Sequence, residues 1–192
     1  MSIAEKLTTI AENQQRVYDA GYSAGQGAGG DTSVEDSIIT REITTYRNER
    51  VTKTGQSVFQ AATQLVSVDL PEVITTGGYV FNGCTALTEV KMPKATMIGN
   101  GIFNGCTALE TLDFPLLADV YAGAFNSCSK LKSLIMRNST VARLRGAAFS
   151  STPIINGTGY IYVPDNLVDS YKAATNWTTV ASQIKPLSEL EG

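Results

Sequence analysis

The sequence predicts a repeat protein of the α/β class: a solenoid of about five 22-residue rungs whose short strands stack in one sheet, preceded by an N-terminal helix. Three observations predict it. Phe81, Phe103 and Phe125 recur every 22 residues, and Cys84, Cys106 and Cys128 do the same. An apolar triplet keeps the same period: Leu65, Leu87, Leu109 and Leu131, then Val68, Val90, Leu112 and Leu134, then Leu70, Met92, Phe114 and Met136. The pattern decays at both ends, as the terminal units of a solenoid must when they cap its core.

Composition agrees with a folded chain. Of 192 residues 43% are hydrophobic and 17% charged, and a net charge of -3 is too small for a disordered chain. Nothing in that balance makes the basic patch of a nucleic-acid-binding surface. There is no histidine, which excludes a His-based triad, an imidazole base and a His-ligated metal. We therefore expect no enzyme, no catalytic residues, no cofactor and no metal site. Three cysteines are an odd count and make a poor disulfide framework. No window approaches eighteen apolar residues, so no membrane span is expected. The N-terminus lacks a basic region followed by an apolar one, which argues against a signal peptide and for synthesis in the cytosol.

Taken in order, residues 1–24 read as a helix. Ser2 is placed to cap it, with Glu5 three positions on to complete a capping box. Ile3, Leu7, Ile10, Gln14, Val17 and Gly21 follow the alternating steps of a coiled-coil seam. A helix this short is marginal alone, so its Ile3–Leu7–Ile10–Val17 stripe needs a cover. Three covers are open: the chain's own body, a second copy through a short helical bundle, or a different protein. The helix would thus oligomerise or anchor. Residues 25–37 are glycine-rich. Gly25, Gly27 and Gly30 match a GxGxxG spacing, but they follow a helix instead of joining a strand to one, so they read as a linker.

The repeats occupy residues 38–150. Three stretches align without gaps from Pro71, Pro93 and Pro115: PEVITTGGYVFNGCTALTEVKM, PKATMIGNGIFNGCTALETLDF and PLLADVYAGAFNSCSKLKSLIM. Backward, Phe59 and Ala62 fill the Phe and Cys positions, and ITTYRN reads as an opening strand with Ile43 and Tyr46 one period before Leu65 and Val68. Forward, Phe149 follows Phe125 by 24 residues, marking a two-residue insertion in a modified last unit, where Ser151 or Thr152 replaces the cysteine. LTEVKM and its counterparts are strands, with the aromatic and the small Cys filling the interior behind them. The evenly spaced cysteines then form a row, one per rung. A row does not converge on a point as zinc ligands must, and a buried free cysteine serves as a small hydrophobe.

The pattern (A/V/I)-F-x-x-C-x-x-L-x-x-(V/L)-x-(M/F/L)-P, with an isoleucine or valine and a glycine ahead of it, resembles the BspA-type leucine-rich repeat of bacteria. Ile98-Gly99, Phe103 to Leu109, and Ala124 to Leu131 carry it best. The resemblance implies a right-handed leucine-rich-repeat solenoid. Residues 151–192 resemble the C-terminal caps of such proteins: a last strand, Tyr160–Val163, then a helix around Leu167–Ala174. Asp165 and Asp169 would sit at the start of that helix, where negative charge offsets its dipole.

Outward strand positions form two rows. One reads Asp69, Lys91, Asp113 and Ile135, the other Ser67, Glu89, Thr111 and Ser133. Opposite charges on adjacent strands explain Asp69–Lys91–Asp113 as ladder stabilisation; a ligand-binding face is the alternative. Arg137, Arg143 and Arg145 cluster near the last rung and suit an anionic glycan or a partner carboxylate. The candidate binding face is Asp69, Glu89, Lys91, Asp113, Arg137, Arg143 and Arg145; the candidate self-association residues are Ile3, Leu7, Ile10 and Val17.

These features point to a non-enzymatic binding or structural module with a protein or cell-surface glycan as partner. The leading segment, with the helix, linker and repeats that follow, resembles those of tail and baseplate-associated proteins of phages and prophages of gut bacteria. That resemblance implies a virion part presenting its repeats to a host surface. The alternative is a BspA-like cell-surface adhesin that binds host or matrix protein and reaches the surface by an unconventional route.

Overall fold

A 22-residue period becomes structure through parallel strands, because each rung repeats the last after one full turn of chain. The computed structural model describes residues 43–190. The expected helix over 1–24, the linker, and the Ile3, Leu7, Ile10 and Val17 stripe lie outside them.

Strands β1 (Thr45–Arg47), β2 (Ser67–Asp69) and β3 (Glu89–Lys91) pair in parallel, with Tyr46, Val68 and Val90 in one register. Strands β5 (Thr111–Phe114), β7 (Ser133–Met136), β9 (Tyr160–Val163) and β10 (Ile184–Pro186) continue the row as a second parallel sheet, with β3 packed beside β5. Tyr46, Val68, Leu112, Leu134 and Ile161 are buried, while the residues on either side of each, Ile135 apart, are partly or fully exposed.

The expected single sheet is therefore corrected to three among the described residues. The third is made of β4 (Met97–Ile98), β6 (Asp119–Val120) and β8 (Arg143–Leu144), again parallel, and single bridges from Lys53 through Thr75 to Met97 extend its line. Strands of two residues are too short to show an alternation in sequence. Their trace is a different row, Thr54, Thr76, Ile98 and Val120, all buried at the same repeat position. The Thr54 and Thr76 hydroxyls accept the N–H groups of Gly77 and Gly99 on the next rung, at 3.2 and 3.0 Å, so these buried polar atoms are satisfied. The same step holds two backbones together: a Cβ on Gly99 would lie 2.3 Å from the Gly77 carbonyl oxygen.

The interior between the rows is an aromatic column. Phe59, Phe81, Phe103, Phe125 and Phe149 stack with centroids 5.5, 5.6, 6.1 and 5.3 Å apart in sequence. Tyr46 closes one end at 4.8 Å and Trp177 the other at 6.1 Å. The cysteines line up beside the column. Sγ of Cys84, Cys106 and Cys128 each donates at 3.0 Å to the carbonyl of the phenylalanine one rung back, Phe59, Phe81 and Phe103. Ala62 begins this row, and Thr152, not the exposed Ser151, ends it.

In the cap, Tyr160–Val163 forms as expected, but it is followed by a further strand, β10, in register with it. Helix α1 runs from Val168 to Ala173, preceded by one 3-10 turn at Asp165–Leu167. Asp169 lies in the first turn of α1 and Asp165 opens the 3-10 turn that leads into it, so both acids sit at the helix start as expected. Asp165 also ties down the tail after β10: its Oδ1 accepts the Ser188 N–H at 3.2 Å, and hydrogen bonding from the Ser188 side chain first, then its backbone, lowers the Asp165 pKa.

Candidate functional site

Two surfaces carry the sequence-predicted residues. The first is the outward face of the row from β1 to β10. Its charges pair differently from the expected Asp69–Lys91–Asp113 chain. Lys91 reaches Glu89 on its own strand at 2.7 Å, Asp69 pairs with Arg47, and Asp113 pairs with Arg137 at 3.4 Å. Arg47 also holds Glu49 at 2.8 Å. Each charge on this face thus meets an opposite one. Such exposed pairs hold side chains in register more than they stabilise the fold.

Toward the cap the face becomes aromatic. Ile135, expected outward, is only 7% exposed, although it lies outside the main core cluster. Register puts Ile135 beside Tyr162 and Ser133 beside Tyr160. The two tyrosine rings are 6.3 Å apart, and the Lys185 ammonium lies 5.7 Å from the Tyr160 centroid. These tyrosines sit five residues out of the 22-residue register, because β7 and β9 are 27 apart, and that offset hid them from the repeat pattern.

The second surface is a groove of about 750 Å³ beside β8, walled by Tyr121 and Arg145 on one side and the 174–177 turn on the other. It separates the three arginines expected to cluster: Arg137 follows β7 on the first row, while Arg143 and Arg145 belong to the β8 ladder. Arg145 donates Nε and Nη2 to the two oxygens of Asp119 at 2.7 and 2.6 Å, and its guanidinium lies 4.6 Å over the Tyr121 ring. That bidentate contact lowers the Asp119 pKa, with burial opposing it and Arg143 adding a smaller attraction.

The cap finishes the outer edge of β8 with side chains instead of a strand. Trp177 Nε1 donates to the Ala142 carbonyl at 2.7 Å, the Tyr171 hydroxyl accepts the Ala142 N–H at 3.0 Å, and Asn176 Nδ2 donates to the Leu144 carbonyl at 2.6 Å. Asn176 does this from a left-handed backbone with φ of 66°, a conformation asparagine tolerates better than most residues. Sequence reasoning missed all three, because their partners lie about thirty residues away.

The row of thiols offers no chemistry at the surface. All three are fully buried, and burial pushes the Cys84 and Cys128 thiols up to about 12 and the Cys106 thiol higher still. Among the described residues no cluster of Cys, Asp or Glu is arranged to hold a metal ion, and no helix is long and apolar enough to cross a membrane.

Comparison with known proteins fits this architecture. No curated protein matches the chain. Among solved structures it is similar to the leucine-rich repeat protein TpLRR of T. pallidum, with 21% identity and a TM-score of 0.54 over 63% of this chain and 58% of that one. It is also similar to a leucine-rich repeat protein of Bacteroides ovatus, with 20% identity and a TM-score of 0.53 over 76% of this chain and 42% of that one. At these identities the likeness shows the fold, and the chain spans about half the length of either relative. The comparisons lend no support to a tail or baseplate role. The model of the BspA type leucine-rich repeat region matches six copies over residues 52–172, and the chain belongs to that family.

Proposed function

We propose that this chain is a non-enzymatic binding module of the BspA-like surface-protein kind, which engages a protein partner through the outward face of the first row of strands. The observation that carries the reading is the change of character along that face. Its N-terminal part is a set of charges paired among themselves, and its C-terminal part gathers Tyr160, Tyr162 and Ile135 beside Lys185. Tyrosine at the centre of a patch with a charged rim is the composition of a binding hot spot. The family membership supports the same reading, since repeat scaffolds present extended faces to partners.

The division into a helix over 1–24, a linker over 25–37, repeats over 38–150 and a cap over 151–192 is part of this proposal. So is self-association through Ile3, Leu7, Ile10 and Val17. Light scattering on the full chain and its Leu7→Glu/Ile10→Glu variant checks the latter: a larger mass for the parent supports it, and equal monomeric masses overturn it.

The binding reading is tested with labelled full-length protein on intact bacterial and epithelial cells. We expect saturable binding to at least one cell type, strongly reduced by Tyr160→Ser with Lys185→Glu at unchanged melting temperature. Binding that ignores the double substitution, or no binding to any cell, overturns it.

A further inference from the structure

The groove beside β8 lies on a different ladder from the proposed protein-binding face, and its chemistry is different. We infer that it is a second binding site, which takes a carboxylate-bearing sugar residue, with Arg143 as the group that meets the carboxylate. Four observations carry this.

First, the groove is about 750 Å³, within the range that holds a small ligand of one or two rings. Second, its two cations are differently engaged. Arg145 spends two of its donors on Asp119 and is held over Tyr121, while Arg143, exposed on the same strand, takes neither Asp119 oxygen in a hydrogen bond. Arg145 is a fixed wall, and Arg143 presents a planar fork of donors to what enters.

Third, a main-chain donor points the same way. Arg143 and Arg145 give their N–H groups to the carbonyls of Ala118, just before β6, and Val120, within it, at 2.8 and 2.9 Å. Strand alternation therefore turns the Leu144 N–H away from β6 and toward the groove that Leu144 lines. Fourth, the rest of the lining joins apolar side chains at Ala122 and Val141 to polar ones at Asn100 and Thr175. A sugar ring carries those two characters together, with C–H faces and a hydroxyl rim.

An extended acidic peptide fits less well. Such a segment binds a sheet edge by adding a strand, through unpaired N–H and C=O groups. Here the Ala142 N–H and C=O and the Leu144 C=O are already taken by Tyr171, Trp177 and Asn176. What is left suits a compact anion, not a strand.

The single tryptophan, Trp177, lines the groove, so its fluorescence reports on occupancy in the intact chain. The probes are tetragalacturonate, its methyl ester and tetraglutamate. We expect tetragalacturonate to shift the Trp177 emission saturably, the ester to leave it unchanged, and Arg143→Glu to weaken the galacturonate by about tenfold or more, as loss of a charge-assisted contact does. Arg143→Lys should weaken it less, and both variants should melt as the parent does. Tyr160→Ser with Lys185→Glu should leave the titration unchanged, so that failure here is separate from failure of the cell-binding reading. No saturable shift, equal binding of the ester, or indifference to Arg143→Glu overturns the inference. Tighter binding of tetraglutamate than of tetragalacturonate overturns the sugar in favour of an acidic peptide.

Discussion

Cys106 sits at the middle of the thiol row, with its S–H on the Phe81 carbonyl and no exposed surface. The thiolate form is disfavoured there, because burial removes the water that would stabilise its charge. Its neighbours Cys84 and Cys128 rise from 9.0 to about 12 for the same reason. Unfolding would return these groups to the lower value. Their contribution to stability is therefore complete below about pH 9 and is lost as the pH climbs toward about 12. We expect chemical-denaturation midpoints to fall over that window, more shallowly in Cys84→Ala than in the parent. Tyr46 and Tyr171, also raised by burial, add to the fall at its upper end. Native protein should react slowly with a thiol reagent at pH 8; rapid labelling of all three cysteines would contradict the row. Gly99 makes a second residue-scale test. A methyl there must enter space held by the Gly77 carbonyl, and Gly99→Ala should cost about 1–3 kcal/mol, as overpacking does. A third concerns the position before each cysteine, where Gly83 and Gly105 have φ of 74° and 75° and Ser127 has 59°. Ser127→Gly relieves a left-handed backbone and should leave stability unchanged or raised by under about 1 kcal/mol, since the gain is offset by glycine entropy.

At the scale of elements, the column of rings and the cap's polar contacts do different work. Phe103 lies against Phe81, Phe114 and Phe125, so Phe103→Ala opens a cavity that stacked neighbours cannot collapse into. Its cost should be about 3–5 kcal/mol by denaturant titration, and a change below about 1 kcal/mol would mean the row is not core. Tyr171→Phe keeps the ring and removes a hydroxyl that accepts from both Ala142 and Asn138. With the Ala142 N–H stranded, a loss of about 1–3 kcal/mol is expected, together with faster amide exchange at Ala142 than within β8. The strands of the first row were legible in the sequence, because Val68 and Leu112 alternate with outward polar neighbours and Leu134 keeps their period. The β4–β6–β8 ladder was not, since two residues make no alternation and its sign was a vertical row of buried Thr, Ile and Val. The ion pairs were misread for a related reason: register tells which residues are adjacent, but a long lysine chooses between Glu89 beside it and Asp69 across from it by reach.

At the scale of the molecule, the repeat sets the fold and the departures from it set the surfaces. Between β7 and β9 the spacing widens to 27 residues, and between β6 and β8 to 24. The first change brings Tyr160 and Tyr162 onto the outward face, and the second places Arg143 and Arg145 beside the turn that holds Asn176 and Trp177. Both candidate sites thus arise where periodicity fails, which is why the regular part of the sequence identified the architecture and gave only Arg143 and Arg145 of the groove.

The finish of the two ladders has a further consequence, for assembly. On one ladder the last strand, β10, ends on Pro186, which has no N–H; on the other, β8 is tied off by Tyr171, Asn176 and Trp177. The solenoid is a rod with a direction, and its C-terminal end is a stopper. Open-ended growth, in which the tail of one copy templates the head of the next, needs two live ends, and among the described residues the C-terminal one is blunted. Association through the remaining end would close at a pair, so however concentrated the chains become, end-to-end stacking should halt at two copies instead of drawing out a fibre.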